Sequence, residues 1–280
     1  MIGTSVRDAL DGAITAIAAS GSESPRLDAE LLLAQALGVS RERLLTEREL
    51  TVQGPAVRVF QDAVRRRSIE REPVAYILGR RGFRHLELSV DPRALIPRPE
   101  TELLVEVGLE LEAGLRVLDL CTGSGAVALA LKQERPDLEL TGSDISEAAL
   151  ALAGENAGRL GLDVGWVHSD LLAEVADDFD AVLANPPYVA EGERAGLAPE
   201  ITRHEPPAAL FAGEDGLDLI RRLLLELAPR EQVATVALEI GAGQAEEVER
   251  EMRSAGFAHT EARRDLAGIE RVVLGKRGRR

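Results

Sequence analysis

Apolar residues recur at helical spacing through the first quarter of the chain. Leu10, Ile14 and Ile17 share one face, and Leu27, Leu31, Leu32 and Leu33 with Leu37 repeat the pattern. Asp28 falls in the first turn of that second helix, and Gly38 is its stop. Gly54-Pro55 is a break, and Val57 to Ile69 reads as a further helix. Its Arg65-Arg66-Arg67 run reads as a solvated face, because adjacent helical residues point in different directions. The rival is a basic contact patch to which Arg71, Arg80, Arg81 and Arg84 would add. Residues 1–75 therefore read as an all-helical domain.

The texture changes from Pro73. Tyr76-Ile77-Leu78-Gly79, Phe83 and Leu86 to Val90 read as a short β-hairpin region, so residues 76–100 form a linker. Pro97 and Pro99 forbid a helix before Glu100, after which Thr101 to Leu111 runs helical. From there strands alternate with helices. The predicted strands are 116–120, 139–145, 164–169, 179–184 and 233–240, followed by two more, 258–263 and 271–275, with no helix between them. The predicted helices are 125–133, 147–160, 217–227 and 244–255. This order predicts an α/β fold for residues 101–280: a doubly wound, mostly parallel, seven-stranded Rossmann-like sheet with helices on both faces. The closing pair predicts an antiparallel addition at one edge. Lys276 to Arg280 reads as a frayed basic end.

Composition narrows the function. With 280 residues, 45% apolar and 29% charged, the chain is an ordinary globular protein with room for a real core. No charge-free run approaches the roughly 20 residues of a membrane span, and no basic start with an apolar stretch marks a signal peptide. The expected compartment is the cytoplasm. One cysteine, Cys121, excludes an internal disulfide and a Cys-rich zinc site. The net charge is −15. Residues 1–80 hold 11 Arg against 11 Asp and Glu, so the rest of the chain carries all of it. Aromatic residues are 3%. Both numbers count against a protein that grips nucleic acid through counterion release and base stacking. His85, His168, His204 and His259 lack metal-ligand spacing, so no metal is expected. Trp166 reads as core or edge packing, and Cys121 as a small packing residue without a base beside it.

The chemistry sits at the predicted strand ends. Asp119-Leu120-Cys121-Thr122-Gly123-Ser124-Gly125 closes one strand and opens a helix. Glycines there let backbone approach a bound group, and the helix start offers free N–H groups. A tight turn without ligand, or a pyrophosphate loop, would read the same. Asp144 follows at the end of the next strand, at a spacing suited to ribose hydroxyls; a helix cap is the alternative. Asp170 can accept from an adenine amino group with Leu171 over the ring, or cap a helix.

Asn185-Pro186-Pro187-Tyr188 then follows a strand directly. A rigid turn would need one proline, not two. The tetrad suits a planar –NH₂ group, a poor nucleophile because its lone pair is delocalised. The Asn185 side-chain oxygen can accept one N–H and the Pro186 carbonyl the other. Tyr188 can pack on the planar group. Both protons are then held outward and the nitrogen faces an electrophile, which needs alignment more than a general base. A side-chain amide and a flipped nucleobase both present such a group.

The glycine loop, Asp144 and Asn185–Tyr188 resemble S-adenosylmethionine-dependent amino-methyltransferases. The whole chain, from about residue 5 to 276, resembles the release-factor glutamine methyltransferases of the HemK/PrmC type. Further matching stretches are Pro73 to Gly79, Leu95 to Glu102, Glu205-Pro206 with Ala209-Leu210, Asp215-Gly216-Leu217 and Leu238-Glu239-Ile240-Gly241. The resemblance implies methylation of the glutamine side-chain nitrogen in the Gly-Gly-Gln motif of peptide-chain release factors, by a monomer with no nucleic-acid substrate. It implies that Cys121, Thr122, Gly123, Ser124, Gly125, Asp144, Asp170, Leu171 and Asn185 line the cofactor. It also implies that Asn185, Pro186, Pro187 and Tyr188 hold the glutamine, with Asn185, Pro186 and Tyr188 carrying the catalysis. Residues 1–75 would help grip the release factor. Arg98 and Glu100 would belong to a fixed loop over the site, Glu100 bonding the cofactor's amino group, where a salt-bridged helix start is the alternative. Cys121 stands where the family usually has glycine, Gly82 where it commonly has an acid, and Leu171 where it often has an aromatic.

Overall fold

The computed structural model describes residues 4–47, 50–176 and 178–278. Contacts group the chain into two compact units, Met1–Gly79 with Ala198–His204, and Arg80–Leu197 with Glu205–Arg280.

The first unit is built from α1 (Val6–Ala19), α2 (Pro25–Leu37), α3 (Arg41–Thr46), α4 (Pro55–Ser68) and α5 (Val74–Leu78). Pro25 and Pro55 open their helices, where a missing N–H costs nothing. Leu10, Ile17, Leu32, Leu33 and Phe60 form the buried core. The unit is not wholly helical, since β1 (Thr4–Ser5) pairs antiparallel with β2 (Thr51–Val52). Two-residue strands are too short to leave a periodic signature. Tyr76–Leu78, expected in a hairpin, lies in α5, which starts after Pro73 and stops at Gly79 in the left-handed region.

Arg67 also departs from expectation. It is buried, not solvated: its guanidinium donates to Asp28 at 2.7 Å and to Glu200 at 2.6 Å. Its neighbours do point elsewhere, Arg66 to Glu72 and exposed Arg65 to Asp62. One of three adjacent helical residues must face the core, and a distant carboxylate made arginine acceptable there.

The second unit begins with a hairpin, β3 (Arg80–Phe83) and β4 (Leu86–Ser89). A 3-10 turn, Pro99–Thr101, leads into α6 (Glu102–Leu109). Then come β5 (Arg116–Leu120), α7 (Ala126–Glu134), β6 (Glu139–Asp144), α8 (Glu147–Leu160), β7 (Gly165–His168) and β8 (Ala181–Ala184). After α9 (Pro199–His204), which groups with the first unit, come α10 (Asp218–Leu227), β9 (Thr235–Glu239), α11 (Ala245–Ser254), β10 (His259–Arg264) and β11 (Glu270–Lys276).

The sheet order is β10-β11-β9-β8-β5-β6-β7. The five strands from β9 to β7 run parallel, and β11 and β10 are antiparallel additions at one edge. This is the doubly wound, mostly parallel seven-stranded sheet expected. Alternate residues of β8 enter different cores: Ala181 and Leu183 pack with Leu129 and Leu131, Val182 and Ala184 with Leu223 and Leu227. Each such leucine contributes about 1.5–3 kcal/mol through burial. The C-terminus is not frayed as far as it is described. Lys276 ends β11, and Arg277 stacks over Phe257 at 4.3 Å; residues 279 and 280 lie outside the described residues.

Candidate active site

All five parallel strands deliver side chains to their carboxyl ends, and the order reverses between β5 and β8. Ligands of such sheets sit there. At this edge lies a pocket of about 270 Å³. Its walls include Cys121, Thr122, Gly123, Ser124, Asp144, Asp170, Leu171, Asn185 and Pro187 of the predicted set. Gly125, Pro186, Tyr188, Arg98 and Glu100 do not line it.

The glycine loop is held from below by Asp119, the fourth residue of β5. Its buried carboxylate accepts from the Thr122 hydroxyl at 2.5 Å and from the Ala128 N–H at 3.0 Å. Burial pushes Asp119 up to about 7, against the pull of those two donors. Gly125 enters α7 with φ +83°, and a Cβ there would meet Leu129, Trp166 and Ala153 at 3.0–3.2 Å. It shapes the loop without facing the pocket. Gly123 is the opposite case, with only Ala94 at 4.0 Å from an added Cβ. Cys121 takes φ +59°, a left-handed conformation that glycine adopts without strain. Burial, with Asp144, Asp119 and Asp170 nearby, pushes its thiol well above the usual range, so it is no nucleophile.

Asp144 ends β6. One oxygen accepts from the Gly123 N–H and the other from the Ser146 N–H, both at 2.9 Å. The cap of α8 is Ser146, not Asp144. Burial raises Asp144, and the two N–H donors oppose the shift. A carboxylate has about four acceptor positions, so Asp144 keeps capacity for hydroxyl groups of a ligand. Asp170 begins a turn and no helix, and it pairs with Arg222 at 2.7 Å. Leu171 follows at φ +51° in the pocket wall.

Asn185 leaves β8 with its amide nitrogen donating to the Thr101 hydroxyl oxygen at 3.2 Å. Its side-chain oxygen is left as an acceptor. No backbone donor takes the Pro186 carbonyl among the described residues. Tyr188 is turned from the pocket wall, and its hydroxyl donates to Glu239 at 3.0 Å. The segment is buttressed by later parts of the chain. Gln244 donates to the Tyr188 carbonyl at 3.0 Å, and Val189 bridges to Phe211. Gly216 has φ +78°, and a Cβ there would lie 2.2 Å from the Tyr188 carbonyl oxygen. Only glycine permits that approach.

Opposite the glycine loop, Glu205 organises the proline-rich segment. Its carboxylate accepts from the Ile96 N–H at 3.2 Å and from Arg98 at 2.5 Å. Arg98 is thereby committed to Glu205, while Leu95 and Pro97 face the pocket. Sequence reasoning gave no individual role to Glu205, Thr101 or Glu239. A signal existed for the last: Glu239 is a lone acid in the apolar run Val236 to Ile240. The histidines form no metal group with Asp, Glu or Cys among the described residues. His204 instead bonds the Glu70 carbonyl at 2.8 Å.

A parallel sheet with a glycine turn, a following strand-end acid and an Asn-Pro-Pro-Tyr segment at the switch point defines a Rossmann-like methyltransferase. Comparison with known proteins agrees. A model described as "Methyltransferase small domain" matches residues 99–210, and one described as "PrmC N-terminal domain" matches residues 8–79. A release factor glutamine methyltransferase of Deinococcus radiodurans is 40% identical over 97% of this chain and 98% of its own length. One of Koribacter versatilis is also 40% identical, over 97% and 98%. The chain belongs to the release factor glutamine methyltransferase family. Among solved structures, a methyltransferase of Pyrococcus furiosus superimposes with a TM-score of 0.54 at 17% identity, covering 69% of this chain and 90% of that one, which speaks for the fold alone. No helix among the described residues is long and apolar enough to cross a membrane.

Proposed function

We propose that this protein transfers a methyl group from S-adenosylmethionine to the side-chain amide nitrogen of the glutamine in the Gly-Gly-Gln motif of peptide-chain release factors. The observation that carries the reading is the Asn185 amide. Thr101 takes its N–H, so its oxygen is the end left to accept from a substrate. With the Pro186 carbonyl as second acceptor, both amide protons of the glutamine are held and its nitrogen is exposed for reaction. The new N–CH₃ bond replaces the S–CH₃ bond, and the amide proton leaves to solvent. The acceptors stabilise the positive charge that develops on nitrogen before that loss.

The residues present fit the cofactor class. Gly123 faces open space where a bound group can approach backbone, Asp144 has spare acceptor capacity, and Leu95, Ile145 and Leu171 supply apolar walls for a nucleoside. Bound there, S-adenosylmethionine supplies an electrophilic methyl. In this reading Cys121 to Ser124, Asp144, Asp170, Leu171 and Asn185 hold the cofactor with Gly125 shaping their loop, Asn185 and Pro186 hold the glutamine with Pro187 and Tyr188 supporting that segment, and residues 1–75 help grip the release factor. The protein acts as a cytoplasmic monomer.

Mass analysis of a release factor after reaction tests this. One added methyl on the Gly-Gly-Gln glutamine is expected. Labelled cofactor incubated with release factor, RNA and DNA together should mark only the protein, and label confined to nucleic acid would reject the assignment.

A further inference from the structure

The chain leaving β7 turns through Asp170, Leu171 and Leu172, and the first two of these line the pocket. Leu171 sits at φ +51°, a left-handed conformation that strains any residue with a Cβ. Two side chains of α10 hold the turn on either side of it. Arg222 meets Asp170 Oδ2 through Nη2 at 2.7 Å and Glu226 Oε1 through Nε at 3.2 Å. The other oxygen of Glu226 accepts from the Leu172 N–H at 3.0 Å. These contacts form a ring that runs Asp170, Arg222, Glu226, Leu172, and Leu171 is bracketed between its ends. The Ser169 hydroxyl tightens the turn further by donating to the Leu171 carbonyl at 2.8 Å.

Arg222 and Glu226 are four positions apart on a helix, which by itself makes an ordinary surface pair of small worth. The ring gives the pair another use, because it ties the helix to the two residues that flank Leu171. It also divides the oxygens of Asp170. Oδ2 is committed to Arg222, which leaves Oδ1 as the acceptor this residue can offer a ligand. A carboxylate oxygen accepts from an amino group and repels a carbonyl oxygen. We infer that Arg222 and Glu226 are positioning residues for cofactor selection: they hold the Asp170–Leu172 turn so that Asp170 accepts from the exocyclic amino group of the cofactor's base, and a base with an oxo group in that place is rejected. Once the ring is cut, Asp170 is free to rotate and Leu171 to relax toward negative φ, and the choice between amino and oxo is lost.

This inference rests on the S-adenosylmethionine reading of the pocket, and it is independent of which group accepts the methyl. All four residues of the ring belong to the second unit. Neither Arg222 nor Glu226 lines the pocket, so both act on a ligand only through the turn. Their side chains are 45% and 30% exposed, so each can be replaced without opening a cavity in the core.

Titration calorimetry with two probes tests the inference: S-adenosylhomocysteine, and its analogue with an oxo group in place of the amino group of the base. Wild type should prefer the amino form by about tenfold or more, the scale of one hydrogen bond set against an unpaired polar group. Arg222→Met keeps the aliphatic stem and should bring the two affinities within about threefold of each other. Glu226→Ala releases both Arg222 and the Leu172 N–H, so it should shrink the preference and also weaken S-adenosylhomocysteine by about fivefold. A merely structural role would weaken both probes alike, so the wild-type ratio retained in Arg222→Met overturns the inference. If that variant fails to fold by circular dichroism, the ratio in Glu226→Ala decides in the same way. A wild type indifferent to the base overturns both Asp170 as its acceptor and the inference. A wild type that binds neither probe rejects the cofactor reading and the inference with it. Loss of the preference in Arg222→Met, found together with methyl label in nucleic acid alone, supports the inference and rejects only the release-factor substrate.

Discussion

Two buried acids underlie the two halves of the site, and they are used differently. Asp119 of β5 and Glu239 of β9 are both pushed up to about 7 by burial. Asp119 spends its accepting capacity on a backbone N–H and a loop hydroxyl, and so locks the course of the main chain from Thr122 to Ala128. Glu239 accepts from a side-chain hydroxyl, that of Tyr188 at 3.0 Å. It holds the Tyr188 side chain, while Gln244 and Gly216 hold the main chain there. The first kind of anchor makes a shape for a cofactor. The second fixes a side chain of the Asn-Pro-Pro-Tyr segment.

The sharpest break in this comparison comes at Asn185. Asn185→Ala should lower methyl transfer by roughly 10²–10³-fold or more, on the scale of losing a transition-state hydrogen-bond partner, with the circular dichroism spectrum unchanged. Wild-type turnover there would end the mechanism. Asp119→Ala should act on the other half in another currency. It strands the Ala128 N–H and the Thr122 hydroxyl, so stability should fall by about 1–3 kcal/mol and cofactor affinity with it, as thermal melts with and without cofactor would show.

A third experiment separates stability from orientation. Both acids bind a proton more tightly in the folded chain than in the unfolded one, where values near 3.8 and 4.5 apply. The stability linked to that proton is complete below about pH 4 and is lost as pH rises through about 7. Glu239→Gln never pays the cost of a buried charge. It should match wild type in melting temperature near pH 5 and exceed it near pH 8, by on the order of 1–3 kcal/mol. A variant that is more stable yet less active marks an acid kept for function. Tyr188→Phe removes the hydroxyl that Glu239 accepts from and leaves the Asn185–Thr101 bond in place, so about a tenfold loss or less in turnover is expected. Smallest of all, Cys121→Gly should shift stability by no more than about 1 kcal/mol, since relief at φ +59° and loss of side-chain packing oppose each other.

The parts legible beforehand share a property: their meaning is local. A glycine turn after an apolar strand, an acid at the next strand end and two prolines after an asparagine act through their own backbone. The mostly parallel sheet with an antiparallel pair at one edge also followed from alternation. Tyr76 to Leu78 were misplaced because a five-residue helix between Pro73 and Gly79 has no room to show a period. Arg67 was misplaced because its partners Asp28 and Glu200 lie 39 and 133 residues away. Asp170 was open between two roles; the turn that follows it removes the helix cap, and its ion pair with Arg222, 52 positions on in sequence, could not be read from its neighbours.

The linear chain thus determined the class of fold, the four strand ends that build the pocket and the Asn-Pro-Pro-Tyr segment beside it, because apolar period and turn chemistry are written in neighbouring residues. Only the folded structure decided which side-chain atoms those residues spend on each other. It turned Tyr188 onto Glu239, committed Arg98 to Glu205 and gave the Asn185 amide a direction. Hydrogen bonds are short and directional, and the partners here come together from strands and turns dozens of residues apart.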